Sequence, residues 1–539
     1  MNAPIDPGGI PAAISDNANL PALTPQAGLM DGTDGTTRLG WARYRFQPQA
    51  SGYGNVSVHG GRHSKEGQIA SAIAGDLQFS NPLVATIISE LDVHTVGNGL
   101  TLSSKPDLAR FGVAPAEIRD LSNQIETAWQ EYASNPAEVD FTGRHDLHAL
   151  ASAAFRSALI HGEIVATLDW RRFPGCRTFT KVALLDPAQL DRTRTLQDAT
   201  TRTVMGVAFT PEGRLSGYWL KSAPLGNQIV APSSRYVPAT TAWGRPKVVH
   251  VFALQDPRQV RGFSPIAAAL TPAHEKETLS EFTLASAYLQ TQFSLTVESD
   301  LSPEAAFAGL SANMQASGMG EWIQGRKDWY SAATITPTPR VVNHLAPGDK
   351  LKFNRSETPN STFDSFDKSL TRRAARAAGM SYEQASGDYS QTSFSASRMA
   401  SDAPHRVVLK RRKEILEAFL KPVFRAWLEE AIETGRIRLP NSAPPFFVCP
   451  EAYCNAKWLG SARIEPDRMK AALASKTELE LGLTTLTDEL GSRGIDFETH
   501  LETLKAEQDA MKSLGLVHPY WADKSKAGNL TYVENHNAQ

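Results

Sequence analysis

Met380–Arg398 reads MSYEQASGDYSQTSFSASR, a polar segment between two helical patterns. It is rich in Ser, Thr, Tyr and Gln, and before Arg398 its only charges are Glu383 and Asp388. It carries little turn chemistry, although the helices around it are rich in arginine. How so polar a stretch comes to lie between basic helices decides how the chain is read.

On its N-terminal side FDSFDKSLTRRAARAAG, residues 363–379, predicts a helix bearing Arg372, Arg373 and Arg376. On its C-terminal side the apolar pairs Ile415/Leu416, Phe419/Leu420, Val423/Phe424, Trp427/Leu428 and Ala431/Ile432 recur every four residues. Against a repeat of 3.6 such pairs drift round the axis, which suits a helix wrapped by several neighbours. Pro422 is expected to kink it. Between Lys368 and Lys413 there are ten Lys/Arg and three Asp/Glu, including KRRK at 410–413. KRRK alone reads as a solvated helix face. Flanking a polar loop, the whole cluster fits a surface that meets phosphates transiently.

Further upstream, RGFSPIAAALTPAHEKETLSEFTLASAYLQTQF places Ser264–Pro265 as an N-cap followed by proline, and Thr271–Pro272 repeats the signal. A kink or restart is predicted there, with the helix from Pro272 to Leu295 running ~36 Å. Residues 296–360, broken at GMGEW, ITPTPR and LAPGDK, are expected to form a small subdomain inserted between two long helices. Before them, helical spacing ends at Gly97 and at Gly162, and order is expected to begin near Gln68. EIVATLDW, TKVALLDPAQL, TVMGVAFTPEGRLSGYWLK and KVVHVFAL read as short strands, so residues 68–255 predict one α+β domain. Residues 1–60 hold fifteen Gly and Pro and read as an extended or mobile arm. From Arg463 to Ala510 the chain is helical and acidic, with eleven Asp/Glu against six Lys/Arg, and a frayed tail is expected from Gly515.

At 539 residues, two to four domains are expected. A net charge of −2 gives no global pull toward nucleic acid, so any basic surface is local. Three cysteines cannot build a disulfide framework. MNAPIDPGG is no signal peptide, and no apolar run nears the ~18 residues of a membrane span. A cytoplasmic, soluble protein is the expectation.

No site for chemistry emerges. There is no P-loop and no H-E-x-x-H. His145 and His148, with His161 further along the same predicted helix, read as surface and packing histidines rather than zinc ligands. Cys449 and Cys454 in CPEAYC read as two ordinary thiols. GFSPI is no nucleophile elbow, and Ser264 is explained by capping. The serines of SQTSFSASR have no histidine beside them to activate a nucleophile. No catalytic residue, cofactor or metal is expected, and enzyme is the weaker class.

RGFSPIAAAL with its long helix, LAPGDKLKF, AAGMSYEQASGDYSQTSFSASRMA and WLGSARIEPDRMKAALASKTELELGLTT resemble, in that order, the lambda-type portal proteins of tailed phages. NPLVATIISELDVHTVGNGL, FRSALIHGEIVATLDW and HVFALQDPRQVRGFSP agree, so the resemblance runs from about Arg62 to Leu514. It implies an α+β portal fold: a flexible arm (1–61), an α/β wing (62–262), a stem helix (263–295), a small α/β clip (296–360) and a second stem helix (361–379). A tunnel loop (380–393), a long wing helix with return strands (394–462), a helical crown (463–514) and a flexible tail (515–539) complete it.

The implied function is a ring, usually of twelve copies, at one vertex of the virion, passing double-stranded DNA inward on packaging and outward on ejection. The implied partners are other copies of the chain, the terminase large subunit, head-completion and tail-adaptor proteins, and the major capsid and scaffold proteins. Assembly is expected in the host cytoplasm. Terminase hydrolyses ATP in this family, which accounts for the missing P-loop. Ser386, Gly387, Asp388, Tyr389, Ser390, Gln391, Thr392 and Ser393 fall at the tunnel loop that touches moving DNA, and Arg372, Arg373 and Arg376 become candidate basic residues of the stem and channel. Neutral hydroxyls and amides make exchangeable contacts where fixed arginines would trap phosphate. Asp388, pointing inward, would repel it. The alternatives are another adaptor ring of a phage or gene-transfer particle, or a hydrolase with an unrecognised site.

Overall fold

Asn81 and Pro82 divide the first helical run. Asn81 accepts a hydrogen bond from Val84 N at 3.1 Å, and proline occupies the first helical position, where its missing N–H does no harm. Helix α1 (Gly61–Ser80) therefore ends as α2 (Pro82–Thr95) begins, and α2 buries Leu83, Val84, Ile87, Ile88 and Leu91 on one face. The computed structural model describes residues 61–197, 201–221, 233–257, 259–292, 295–299, 328, 349–353, 362–390, 393–461 and 467–516. The first helix thus starts at Gly61, seven residues before the expected onset of order.

The chain forms two units, residues 1–271 with 375–539, and residues 272–374. In the first unit α3 (Pro115–Ser134) and α4 (Leu147–His161) precede the strands. Asp146 caps α4 by accepting from Ala149 N at 2.8 Å, and Gly162 ends it at φ +84°. His145 therefore lies outside the helix that was expected to carry it. Strand β2 (Glu163–Trp170) pairs antiparallel with β3 (Thr180–Leu185) and β9 (Val248–Phe252) in the order β3-β2-β9. An antiparallel meander holds β4 (Leu196–Gln197), β5 (Arg202–Val204), β6 (Val207–Phe209), β7 (Leu215–Lys221) and β8 (Ser234–Pro238). Val165 and Val248 from the first sheet pack with Leu190, Val207, Tyr218 and Ala239 in one buried cluster.

The expected 68–255 domain does not close by itself. β1 (Thr101–Ser104) pairs with β12 (Ala456–Leu459) from far down the chain. Helix α9 (Glu417–Glu433) lies on β2, β3 and β9. Its Phe424 and Trp427 meet Trp129 with ring centroids 5.3 and 5.1 Å apart, and Trp458 completes the cluster at 5.8 Å. Glu430 accepts from Phe179 N at 2.6 Å and Thr180 N at 2.8 Å, fixing the start of β3. The winding apolar stripe has several neighbours, as its period predicts. A π-turn at Arg412–Leu416 joins α8 (Phe394–Arg411) to α9, and α9 continues through Pro422 without ending there.

Glu163, fully buried at the start of β2, holds the segment that leaves this unit. Its carboxylate accepts from Arg261 Nε at 2.8 Å, Arg192 Nη2 at 3.0 Å and Gly262 N at 3.0 Å, and bonds His250 Nε2 at 3.0 Å. Burial alone would raise its pKa, but the bonds from Arg261 and His250 hold the carboxyl far below the usual range. A Cβ on Gly262 would lie 2.1 Å from the Gly162 carbonyl oxygen, so two glycines let the two stretches of backbone touch. Ser264 does not cap the next helix. It donates to Leu159 O at 2.7 Å, and α5 (Ala267–Gln292) begins three residues later and continues through Pro272 without restarting.

In the second unit Lys276 of α5 donates to Asp367 at 2.7 Å and Thr371 at 2.9 Å of α6 (Phe363–Ala378). β10 (Leu295–Ser299) pairs antiparallel with β11 (Asp349–Phe353). The remainder of 296–360, apart from residue 328, lies outside the described residues. The acidic C-terminal run forms α10 (Arg468–Glu480), α11 (Leu486–Ser492) and α12 (Phe497–Ser513) in the first unit.

Candidate channel site

The polar stretch is more ordered than its composition suggests. Helix α6 ends as Gly379, at φ +82°, donates to Arg376 O and Met380 N donates to Ala375 O. Ser381 and Gln384 then form a capping box: Gln384 N donates to Ser381 Oγ at 3.3 Å, and Ser381 N to Gln384 Oε1 at 3.1 Å. The result is a short helix, α7 (Tyr382–Ser386), where a continuous loop was expected.

Gly387 stops α7 at φ +69°, its N–H bonded to Glu383 O at 2.8 Å. Asp388 N donates to Ser386 Oγ at 3.1 Å, and Asp388 Oδ1 accepts from Ser390 N at 3.0 Å and Ser390 Oγ at 2.6 Å. One carboxylate oxygen therefore builds a turn. Ser386, Gly387, Tyr389, Ser390 and Ser393 are exposed, and Asp388 is half-buried. Gln391 and Thr392 lie outside the described residues.

Arg372, Arg373 and Arg376 are all exposed on α6, while Ala374, Ala375 and Ala378 are buried. Arg372 and Arg373 belong to the second unit, Arg376 to the first. KRRK divides by role. Arg412 is 7% exposed and donates through Nε to Thr95 O at 3.1 Å and through Nη2 to His94 O at 3.3 Å, satisfying the last carbonyls of α2. Arg411 donates to Ala378 O at 2.9 Å and does the same for α6. Burial lowers the pKa of both guanidinium groups. Two of the four charges in that run are thus spent on helix ends, leaving Lys410 and Lys413 on the surface.

The turn exposes the Tyr389 hydroxyl and keeps its one carboxylate half-buried, and among its described residues there is no activated nucleophile. Ser390 Oγ faces a carboxylate and not a histidine. Elsewhere Ser71 Oγ lies 2.5 Å from His161 Nδ1. Burial lowers the His161 pKa, and among the described contacts no carboxylate is hydrogen-bonded to its ring. The bond joins α1 to α4 and reads as packing. Among the described residues no three metal-ligating side chains converge. Burial raises the Cys454 thiol to about 12, so it is an inert thiol at neutral pH.

Comparison with known proteins gives the family of the chain. Residues 62–412 match the family model described as phage portal protein, lambda family. The portal protein of Escherichia phage N15 is 28% identical over 458 residues, covering 84% of this chain and 86% of its own. Portal protein B of Escherichia phage lambda is 26% identical over 457 residues, covering 84% and 85%. Among solved structures, a chain from the virion of a native gene transfer agent particle aligns at 12% identity and a TM-score of 0.42, covering 80% of this chain and 98% of that one. The family match spans both units and ends within the KRRK run, and on that match the chain belongs to the lambda family of phage portal proteins.

Proposed function

We propose that this portal protein closes into a ring, of about twelve copies by analogy with its family, around a channel for double-stranded DNA at one virion vertex. The family match over residues 62–412 carries the reading. Apolar exposure supports it: Phe282 and Tyr288 on α5 are 70% and 69% exposed in the single chain, and Phe366 on α6 is 54% exposed. Neighbouring copies would cover such side chains. The subdomain between α5 and α6 serves as the docking end for the terminase large subunit and later for head-completion and tail-adaptor proteins, while capsid and scaffold proteins meet the outer ring. The chain acts as a conduit and not as an enzyme.

In this reading Ser386–Ser393 line the channel. The exposed Tyr389 hydroxyl gives weak, exchangeable phosphate contacts, while the Ser386 and Ser390 hydroxyls donate within the turn to Tyr382 O and Asp388 Oδ1, and Arg411 and Arg412, engaged with helix-end carbonyls, add no fixed trap. Arg372, Arg373 and Arg376 are candidate stem contacts. Replacing Asp388 with Asn keeps the acceptor for Ser390, whereas Asp388→Arg reverses the charge. Both variants are expected to assemble as wild type does. D388R is expected to package shortened or fewer genomes, and D388N to lie between it and wild type. Normal genome length and titre in D388R would rule out a channel-facing turn.

A further inference from the structure

The three C-terminal helices are lightly held. Neither α10 nor α12 contributes a buried residue, and α11 buries only Leu490. Their attachment concentrates beside β1. Asp496 caps α12 by accepting from Glu498 N at 2.9 Å and Thr499 N at 3.3 Å, and its other oxygen accepts from Ser103 Oγ at 2.7 Å. The adjacent Ser104 donates its N–H to Glu126 of α3 at 2.6 Å. Asn123, on the same helix, donates to Glu502 at 3.1 Å, and Lys105 lies 3.9 Å from Glu498. Gly494 approaches Gly460 so closely that a Cβ there would stand 2.6 Å from the Gly460 carbonyl oxygen.

Three carboxyl groups thus meet at one seam: Glu126 from α3, with Asp496 and Glu498 from the start of α12. Lys105 is the cation that faces Glu126. Asp496 accepts three hydrogen bonds, two of them at a helix N-terminus. Glu126 has one such bond, so Glu126 is the group that yields a place to its neighbours by keeping its proton. We propose that Glu126 is a proton-operated latch: neutral, it lets Asp496 seat α12 on β1, and ionised, it loosens the C-terminal helices.

Burial first, then the charges of Asp496 and Glu498, raise the Glu126 carboxyl to about 7 against the pull of Ser104 N–H and Lys105. Once the helices lift away, the group returns toward its ordinary value of 4.5. The seated state therefore binds the proton more tightly. Seating weakens as pH rises from about 4.5 to about 7, by up to roughly tenfold per pH unit, and levels off above that range.

Hydrogen exchange by mass spectrometry on the full chain tests this, comparing wild type with Glu126→Gln at the same pH so that intrinsic exchange rates cancel. The substituted amide still accepts from Ser104 and cannot ionise. At about pH 8 the amides of α11 and α12 are expected to exchange one to two orders of magnitude faster in wild type than in E126Q, with the gap closing to within about threefold near pH 5. Equal exchange at both pH values, or a gap that does not change with pH, overturns the latch. Asp496→Asn supplies a second reading, since it keeps a cap acceptor and removes the charge facing Glu126. It is expected to weaken the pH dependence without abolishing it, since burial of Glu126 remains, and a pH dependence steeper than wild type's in D496N would also overturn the proposal.

Discussion

Replacing Glu163 with Gln is expected to destabilise the first unit more than any exposed charge substitution does. The wild-type carboxylate is fully buried and gathers Arg261, Arg192, His250 and the Gly262 N–H. Glutamine matches the shape but removes the charge and turns an NH2 donor toward groups that are themselves donors. Breaking one side of a buried ion pair costs about 3–5 kcal/mol, a factor of roughly 150 to 5,000 in the folded population. The assay is denaturant unfolding of the unassembled chain at fixed concentration, followed by tryptophan fluorescence. Glu131→Gln is the control, since its pair with Arg177 is 66% and 78% exposed and is worth less than about 1 kcal/mol. The Glu163 carboxyl is held low in the folded state, so its contribution is present above about pH 4.5 and is lost as pH falls below that. The wild-type advantage over E163Q should therefore shrink on acidification. A loss under about 1 kcal/mol at neutral pH, or a gap that grows as pH falls, would contradict this role for Glu163.

Arg412→Met should cost about 1.5–3 kcal/mol through the lost bonds to Thr95 and His94, whereas Lys413→Ala, at the surface, should stay within about 0.5 kcal/mol; calorimetry on the two variants checks the split. Ser381→Ala removes half of the capping box and should cost about 1 kcal/mol, read as faster amide exchange confined to residues 382–387, with assembly unchanged.

Local chemistry was legible where the chain signals to itself. Gly97 and Gly162 end helices where their sequence positions say they should, and the four-residue apolar pairs of α9 find the several neighbours their drift implies. S-x-x-Q at 381–384 is a legible capping signal too, but the surrounding polarity points to a loop where the chain forms a short helix. Ser264 misled because serine before proline usually caps, whereas here the hydroxyl is claimed by Leu159 O, more than a hundred residues earlier. The same limit hid the Glu163 cluster. Its partners lie 29 to 99 residues away, and no periodicity links groups whose meeting depends on two sheets packing together. KRRK shows it for charge: four like residues in a row diverge because a helix points Arg412 inward and Lys413 outward.

Whether the chain closes into a ring with a channel is read from native mass spectrometry of the purified protein, with particle images from the same sample. Closed rings of about twelve or thirteen copies with a central hole are the predicted result. A stable monomer or dimer under assembly conditions, with its apolar helix faces still exposed, would contradict it.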